Sequence, residues 1–188
     1  VNYEDHITPD RLSEYDAGAN ALTLLKSLPP RFRSDELQVR QHMTKSADGE
    51  AVPYFVIHRK GLKLDGSTPT ILYGYGGFEI SLKPSYSATI GKLWLERGGA
   101  YAVANIRGGG EFGPRWHKAA LKTNRQRAYD DFIAVAEDLA RRGITSPRRL
   151  GISGGNNGGL LVGAIFTQRP DLLNAVVCRV PLLDMLRY

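Results

Sequence analysis

Sulfur is scarce in this chain: Cys178 is the only cysteine. A lone thiol excludes an internal disulfide and a cysteine-built metal site. Its place in the apolar run Ala175-Val176-Val177-Cys178 predicts a small buried core residue. One cysteine also fits a reducing compartment, and a cytoplasmic location is the expectation. No apolar run approaches the roughly 18 residues that a membrane helix needs, so no membrane partner is expected. The opening Val1-Asn2-Tyr3-Glu4-Asp5-His6 is polar and acidic, unlike a signal peptide. Without an initiator Met, the chain reads as a piece of something longer. Long basic tracts are missing as well. The formal charge of +6 is spread over short groups such as Arg31 and Arg33, Arg141 and Arg142, and Arg148 and Arg149. They are mixed with acids and have no interleaved aromatics, which predicts a solvated surface and no nucleic-acid partner. The histidines His6, His42, His58 and His117 are scattered, so no metal and no cofactor are expected.

What remains is ordinary globular composition, 42% hydrophobic and 23% charged over 188 residues, enough for a sizeable core. Residues 1–45 alternate short polar and apolar pieces with turn signals, and Pro29-Pro30 interrupts them. One or two short strands and a linker are expected there. From about residue 46 a rhythm of strand, glycine-rich loop and helix begins. Strands are predicted at 53–58, 69–73, 100–106, 149–153 and 175–180. Helices are predicted at 87–97, ended by Gly98-Gly99, and at 160–168. The clearest helix is 128–142, where Phe132, Val135, Ala136 and Leu139 form one stripe at helical spacing. Asp130 and Asp131 are read as first-turn acids and Arg141 and Arg142 as last-turn bases, matching the helix dipole. Apolar strands alternating with helices predict an α/β fold with a doubly wound, mostly parallel sheet covered on both faces. In such sheets the loops at the carboxyl ends of the strands line the ligand crevice.

Segment 149–168 has the setting of a nucleophile elbow: strand, tight glycine turn, apolar helix. Two registers compete. Gly151-Ile152-Ser153-Gly154-Gly155 matches G-x-S-x-G literally, with Ser153 at the centre. That register would open the helix with Gly-Gly-Asn-Asn-Gly-Gly, at about 1 kcal/mol for each interior glycine. The register centred on Asn156 starts the helix near Gly158 and is the one expected.

Here the chain resembles the prolyl oligopeptidase family. Gly154-Gly155-Asn156-Asn157-Gly158-Gly159-Leu160-Leu161 is similar to that family's Gly-Gly-Ser-Asn-Gly-Gly elbow. The segments 72–78 (Leu-Tyr-Gly-Tyr-Gly-Gly-Phe) and 105–113 (Asn-Ile-Arg-Gly-Gly-Gly-Glu-Phe-Gly) resemble further signatures, as do 168–172 and 184–186. The resemblance implies an α/β-hydrolase fold, with 46–188 the N-terminal part of a catalytic domain, incomplete at its C-terminal side. It implies that 1–45 is a remnant of a β-propeller blade plus a linker. Tyr75 would donate its hydroxyl to an oxyanion, and the backbone N–H of Asn157 would be the second donor. Phe78 and Leu182 would line an apolar pocket for proline. The substrate would be a short proline-containing peptide, cleaved by acyl transfer to serine without a cofactor.

The departure lies at position 156. The family's nucleophile position is Asn156 here, and a carboxamide nitrogen has its lone pair delocalised and no hydroxyl proton to surrender. The triad Asp and His should both follow the elbow. No histidine follows Gly159, and the acids there, Asp171 and Asp184, match neither role. The expectation is therefore a serine-peptidase fragment, inactive as it stands. The alternatives are a non-catalytic binder of proline peptides and a related esterase. The last strand, 175–180, is expected to leave an edge open to association.

Overall fold

The molecule, seen in a computed structural model that describes residues 1–187, is built on two sheets. The smaller is antiparallel: β1 (Asn2–Tyr3), β2 (Arg11–Asp16) and β3 (Ala21–Ser27). Its side chains are almost all exposed on both faces, including Leu22, Leu24 and Leu25.

The larger sheet has six strands. These are β4 (Leu37–Lys45), β5 (Ala51–Arg59), β6 (Thr70–Tyr73), β7 (Ala100–Ala104), β8 (Leu150–Gly155) and β9 (Ala175–Arg179). They lie in the order β4-β5-β7-β6-β8-β9. The hairpin β4–β5 and the pair β5–β7 are antiparallel, while β7–β6, β6–β8 and β8–β9 are parallel. The sheet is thus mostly parallel, as expected. β4 ends at Lys45 and pairs with β5 along its whole length.

One face carries the main core. The longest helix, α3 (Gln126–Arg141), follows the short α1 (Ala88–Ile90) and α2 (Pro114–Lys118), and α4 (Asn157–Gln168) comes last. Phe132, Val135, Ala136 and Leu139 of α3 are all buried, against Val52, Tyr54 and Val56 of β5, Leu72 of β6 and Ile152 of β8. Each large side chain buried this way contributes about 1.5–3 kcal/mol. On the other face α1 continues as a π-helical turn, Gly91–Leu95, and packs with Phe32 against Leu37 and Ile57. Gly91 has to be glycine, since a Cβ there would stand inside the Phe32 ring.

Two readings change here. The second face is covered chiefly over β4, β5 and β7. Beside it Ile71, Tyr73, Gly151, Ser153 and Val177 line an open groove. And α3 starts at Gln126, so Asp130 and Asp131 lie past its first turn. Asp131 is fully buried and takes the Arg107 guanidinium instead of serving the helix dipole. Arg141 and Arg142 both reach Asp138, itself buried and accepting from the Tyr54 hydroxyl at 2.6 Å. Cys178 is half-buried rather than buried, its Sγ 3.3 Å from the Gly159 carbonyl.

Candidate active site

The site follows from strand register. β6 and β8 are parallel neighbours with Tyr73 opposite Ser153, so their carboxyl ends emerge side by side. Tyr75 stands two residues beyond the end of β6, and Asn156 one residue beyond the end of β8. Residues far apart in the chain are thus brought to one end of the sheet, where α/β folds place ligands.

Asn156 is the single residue between β8 and α4, with φ 57° and ψ −116°. This lies outside the left-handed helical well that asparagine favours, so the turn is strained by of order 1–3 kcal/mol and held by its surroundings. Its N–H donates to the Arg179 carbonyl on β9 at 3.0 Å, and its carbonyl accepts from Gly159 and Leu160. The flanking glycines make the bend possible. A Cβ on Gly158 would come within 2.7 Å of the Gly74 carbonyl oxygen, and one on Gly159 within 2.7 Å of Pro181 Cα. Ser153 is elsewhere: it lies within β8, between Tyr73 and Val177, and faces the open groove.

Three of the expected site residues meet. The Asn156 side-chain oxygen Oδ1 accepts from the Asn157 backbone N–H at 2.7 Å and from the Tyr75 hydroxyl at 3.3 Å. Asn157 is buried, at the first turn of α4, and the helix dipole adds positive potential there. The arrangement can hold an oxygen bearing negative charge between a phenol and a backbone amide. Phe78 and Leu182 stand apart from this hydrogen-bonded group. Phe78 is 56% exposed at positive φ, and Leu182 is half-buried after Pro181.

Two supporting groups escaped the sequence reading. Arg125, in the turn before α3, donates to the Gly76 carbonyl and, at 3.2 Å, to Asn157 Oδ1. Nothing in local composition marks it, since its partners lie 49 and 32 residues away. Arg107 sits in a segment noted for its glycines, but its partners could not be read from spacing. Its guanidinium is 4% exposed and spans Asp131 on α3 and Asp48 in the β4–β5 turn. Burial disfavours the Arg107 charge, yet the hydrogen bonds it donates to both carboxylates outweigh burial and raise its pKa. Asp48 is correspondingly held below the usual carboxylate range by Arg107.

The four histidines do not join the site. His42 and His58 lie on β4 and β5, His6 is buried, and His117 on α2 contacts the Gly108 carbonyl through Nδ1 at 2.7 Å. Among the described residues no cluster of His, Cys, Asp and Glu could hold a metal. Nor is any described helix long and apolar enough to cross a membrane.

Comparison with known proteins agrees with this geometry. The model of the prolyl oligopeptidase family matches residues 84–188. An uncharacterized peptidase of Sinorhizobium fredii is 59% identical over 98% of this chain, which covers 26% of that relative. A prolyl endopeptidase of Elizabethkingia meningoseptica is 43% identical over the whole chain, again 26% of the relative. Among solved structures, a post-proline cleaving enzyme from Rickettsia typhi superposes with a TM-score of 0.91 at 45% identity, covering 100% of this chain and 27% of that one. The chain therefore spans about a quarter of the length of the proteins it matches. Within that span the fold is the α/β-hydrolase fold, and the chain belongs to the prolyl oligopeptidase family.

Proposed function

We propose that this chain is the N-terminal part of the catalytic domain of a peptidase that hydrolyses short peptides after proline, and that with Asn156 in place it does not cleave them. One observation carries the reading: the Tyr75 hydroxyl and the Asn157 N–H converge on the side chain at position 156. A serine there would be one bond from a carbonyl carbon whose oxygen those donors could receive. The Asn156 carboxamide offers no nucleophile, and its oxygen already takes both donors. A peptide carbonyl would have to displace it.

In this reading Phe78 and Leu182 line the proline pocket. The exposed three-stranded sheet is the end of a propeller blade, and the triad Asp and His belong to sequence beyond this segment. The setting is a reducing one, the cytoplasm. The same observation favours a second reading, a binder of proline peptides that does not cut them.

The test is Asn156→Ser in the full-length polypeptide carrying this segment, assayed on a proline peptide. Cleavage after proline is expected from the variant and none from the parent. Binding of the peptide without cleavage by either would favour the second reading. Activity on simple acyl esters alone would point to an esterase and sink the peptidase assignment.

A further inference from the structure

Tyr75 is useful as an oxyanion donor only if the glycine loop beneath it keeps a fixed distance from the elbow. Gly74, Gly76 and Gly77 surround it, and such a loop has little stiffness of its own. In the structure the stiffness comes from two polar side chains. Asn157 Nδ2 donates to the Tyr75 carbonyl at 2.6 Å, and Asn157 Oδ1 accepts from Arg125 Nη2 at 3.2 Å. Arg125 Nη1 donates in turn to the Gly76 carbonyl. Consecutive carbonyls of the loop are thus held by one pair of side chains, themselves hydrogen-bonded to each other. The fit is close on every side. A Cβ on Gly77 would overlap the Asn157 carboxamide, and one on Gly108 would lie 3.1 Å from Arg125 Nη1. The guanidinium also lies over the Tyr129 ring, 5.3 Å from its centroid, which fixes its own position.

We infer that Arg125 and the Asn157 carboxamide are positioning residues that lock the Tyr75 loop to the elbow and so set the geometry of the oxyanion donors. Asn157 then serves twice: its backbone supplies one donor and its side chain aims the other. The inference rests on the proposed role of Tyr75 and adds groups that touch no reacting atom.

The experiment uses the full-length polypeptide carrying Asn156→Ser, with Arg125→Ala or Arg125→Lys added. If the clamp acts on transition-state geometry, Arg125→Ala lowers kcat about tenfold or more while KM for a proline peptide changes by less than about threefold. Arg125→Lys, which keeps one donor and the charge over Tyr129, recovers part of the loss. Hydrogen exchange at the amides of 74–79 should accelerate in the alanine variant, with α3 and α4 unaffected. An unchanged kcat, a change in KM alone, or faster exchange spread across the whole domain in both variants overturns the clamp. Should Asn156→Ser prove inactive, that counts against the proposed function only. Exchange at 74–79 then decides the clamp: local acceleration supports it and its absence refutes it.

Discussion

The Tyr75 hydroxyl lies 3.3 Å from Oδ1 of Asn156, and the Asn157 N–H donates to the same oxygen from 2.7 Å. In the proposed function, Asn156 Oδ1 therefore stands where the two donors would receive the substrate's oxyanion. A fluorophosphonate probe should leave this chain unlabelled, because no activated hydroxyl faces the donors. Label at Ser153, measured by mass spectrometry of the digested protein, would overturn the placement of the elbow at 156.

Removing one donor tests the other half of that relationship. In the full-length Asn156→Ser variant, adding Tyr75→Phe should lower kcat by about 10²–10³, roughly 3–4 kcal/mol, with KM little changed. Steady-state kinetics on one proline peptide suffices. Equal kcat with and without the hydroxyl would remove Tyr75 from the oxyanion site.

The Arg107–Asp131 pair should dominate local stability. Asp131→Ala leaves a guanidinium buried with only the half-exposed Asp48 to balance it, and the expected loss is about 3–5 kcal/mol. Asp171→Ala breaks an exposed pair with Arg169 and should cost at most about 1 kcal/mol. Urea denaturation of the two variants side by side gives the comparison. Equal losses would mean that burial does not set the value of the Arg107 pair.

Acid should weaken the protein through Asp138. Burial pushes its pKa up, but hydrogen bonds from Tyr54 and Arg142 and the nearby arginine charges outweigh burial and leave it below its ordinary value. A carboxylate with a folded pKa below its unfolded one stabilises fully above the unfolded value, about 3.9. That stabilisation is lost as pH falls through the folded pKa. Stability should therefore decline on acidification below about pH 4, and Asp138→Asn should flatten this part of the profile while lowering stability at neutral pH. A thermal-melting series from pH 2 to pH 7 reads both effects. An Asp138→Asn profile parallel to the parent's would exclude this carboxylate as the cause.

Much of this could be read before any coordinates. Phe132, Val135, Ala136 and Leu139 mark α3 because a helix has to bury a stripe at that spacing, and they do bury it. Gly98 and Gly99, after the helix predicted at 87–97, donate their N–H groups back to the Leu95 and Trp94 carbonyls, as a terminating turn requires. Gly154, Gly158 and Gly159 marked the bend in the sequence, and a Cβ at any of the three would run into neighbouring backbone. The failures share a cause of their own. Asp131 was read by its distance from a helix start, whereas its partner Arg107 comes from another loop. Strand β4 was lost because Leu37–Lys45 is an edge strand with polar residues at Gln38, Arg40, Gln41 and His42. Arg125 had no local signature at all. Periodicity reports which face an element buries, not which distant carbonyl a side chain will find.

Because the bend at 156 is imposed by its glycine neighbours and by the hydrogen bond to Arg179, the peptide backbone traces the same path whatever atom tips the side chain. Superposition on Cα positions is blind to that tip, so high likeness to working enzymes says nothing about turnover. For such a scaffold, chemistry at this bend is decided by one side chain and not by the path of the backbone.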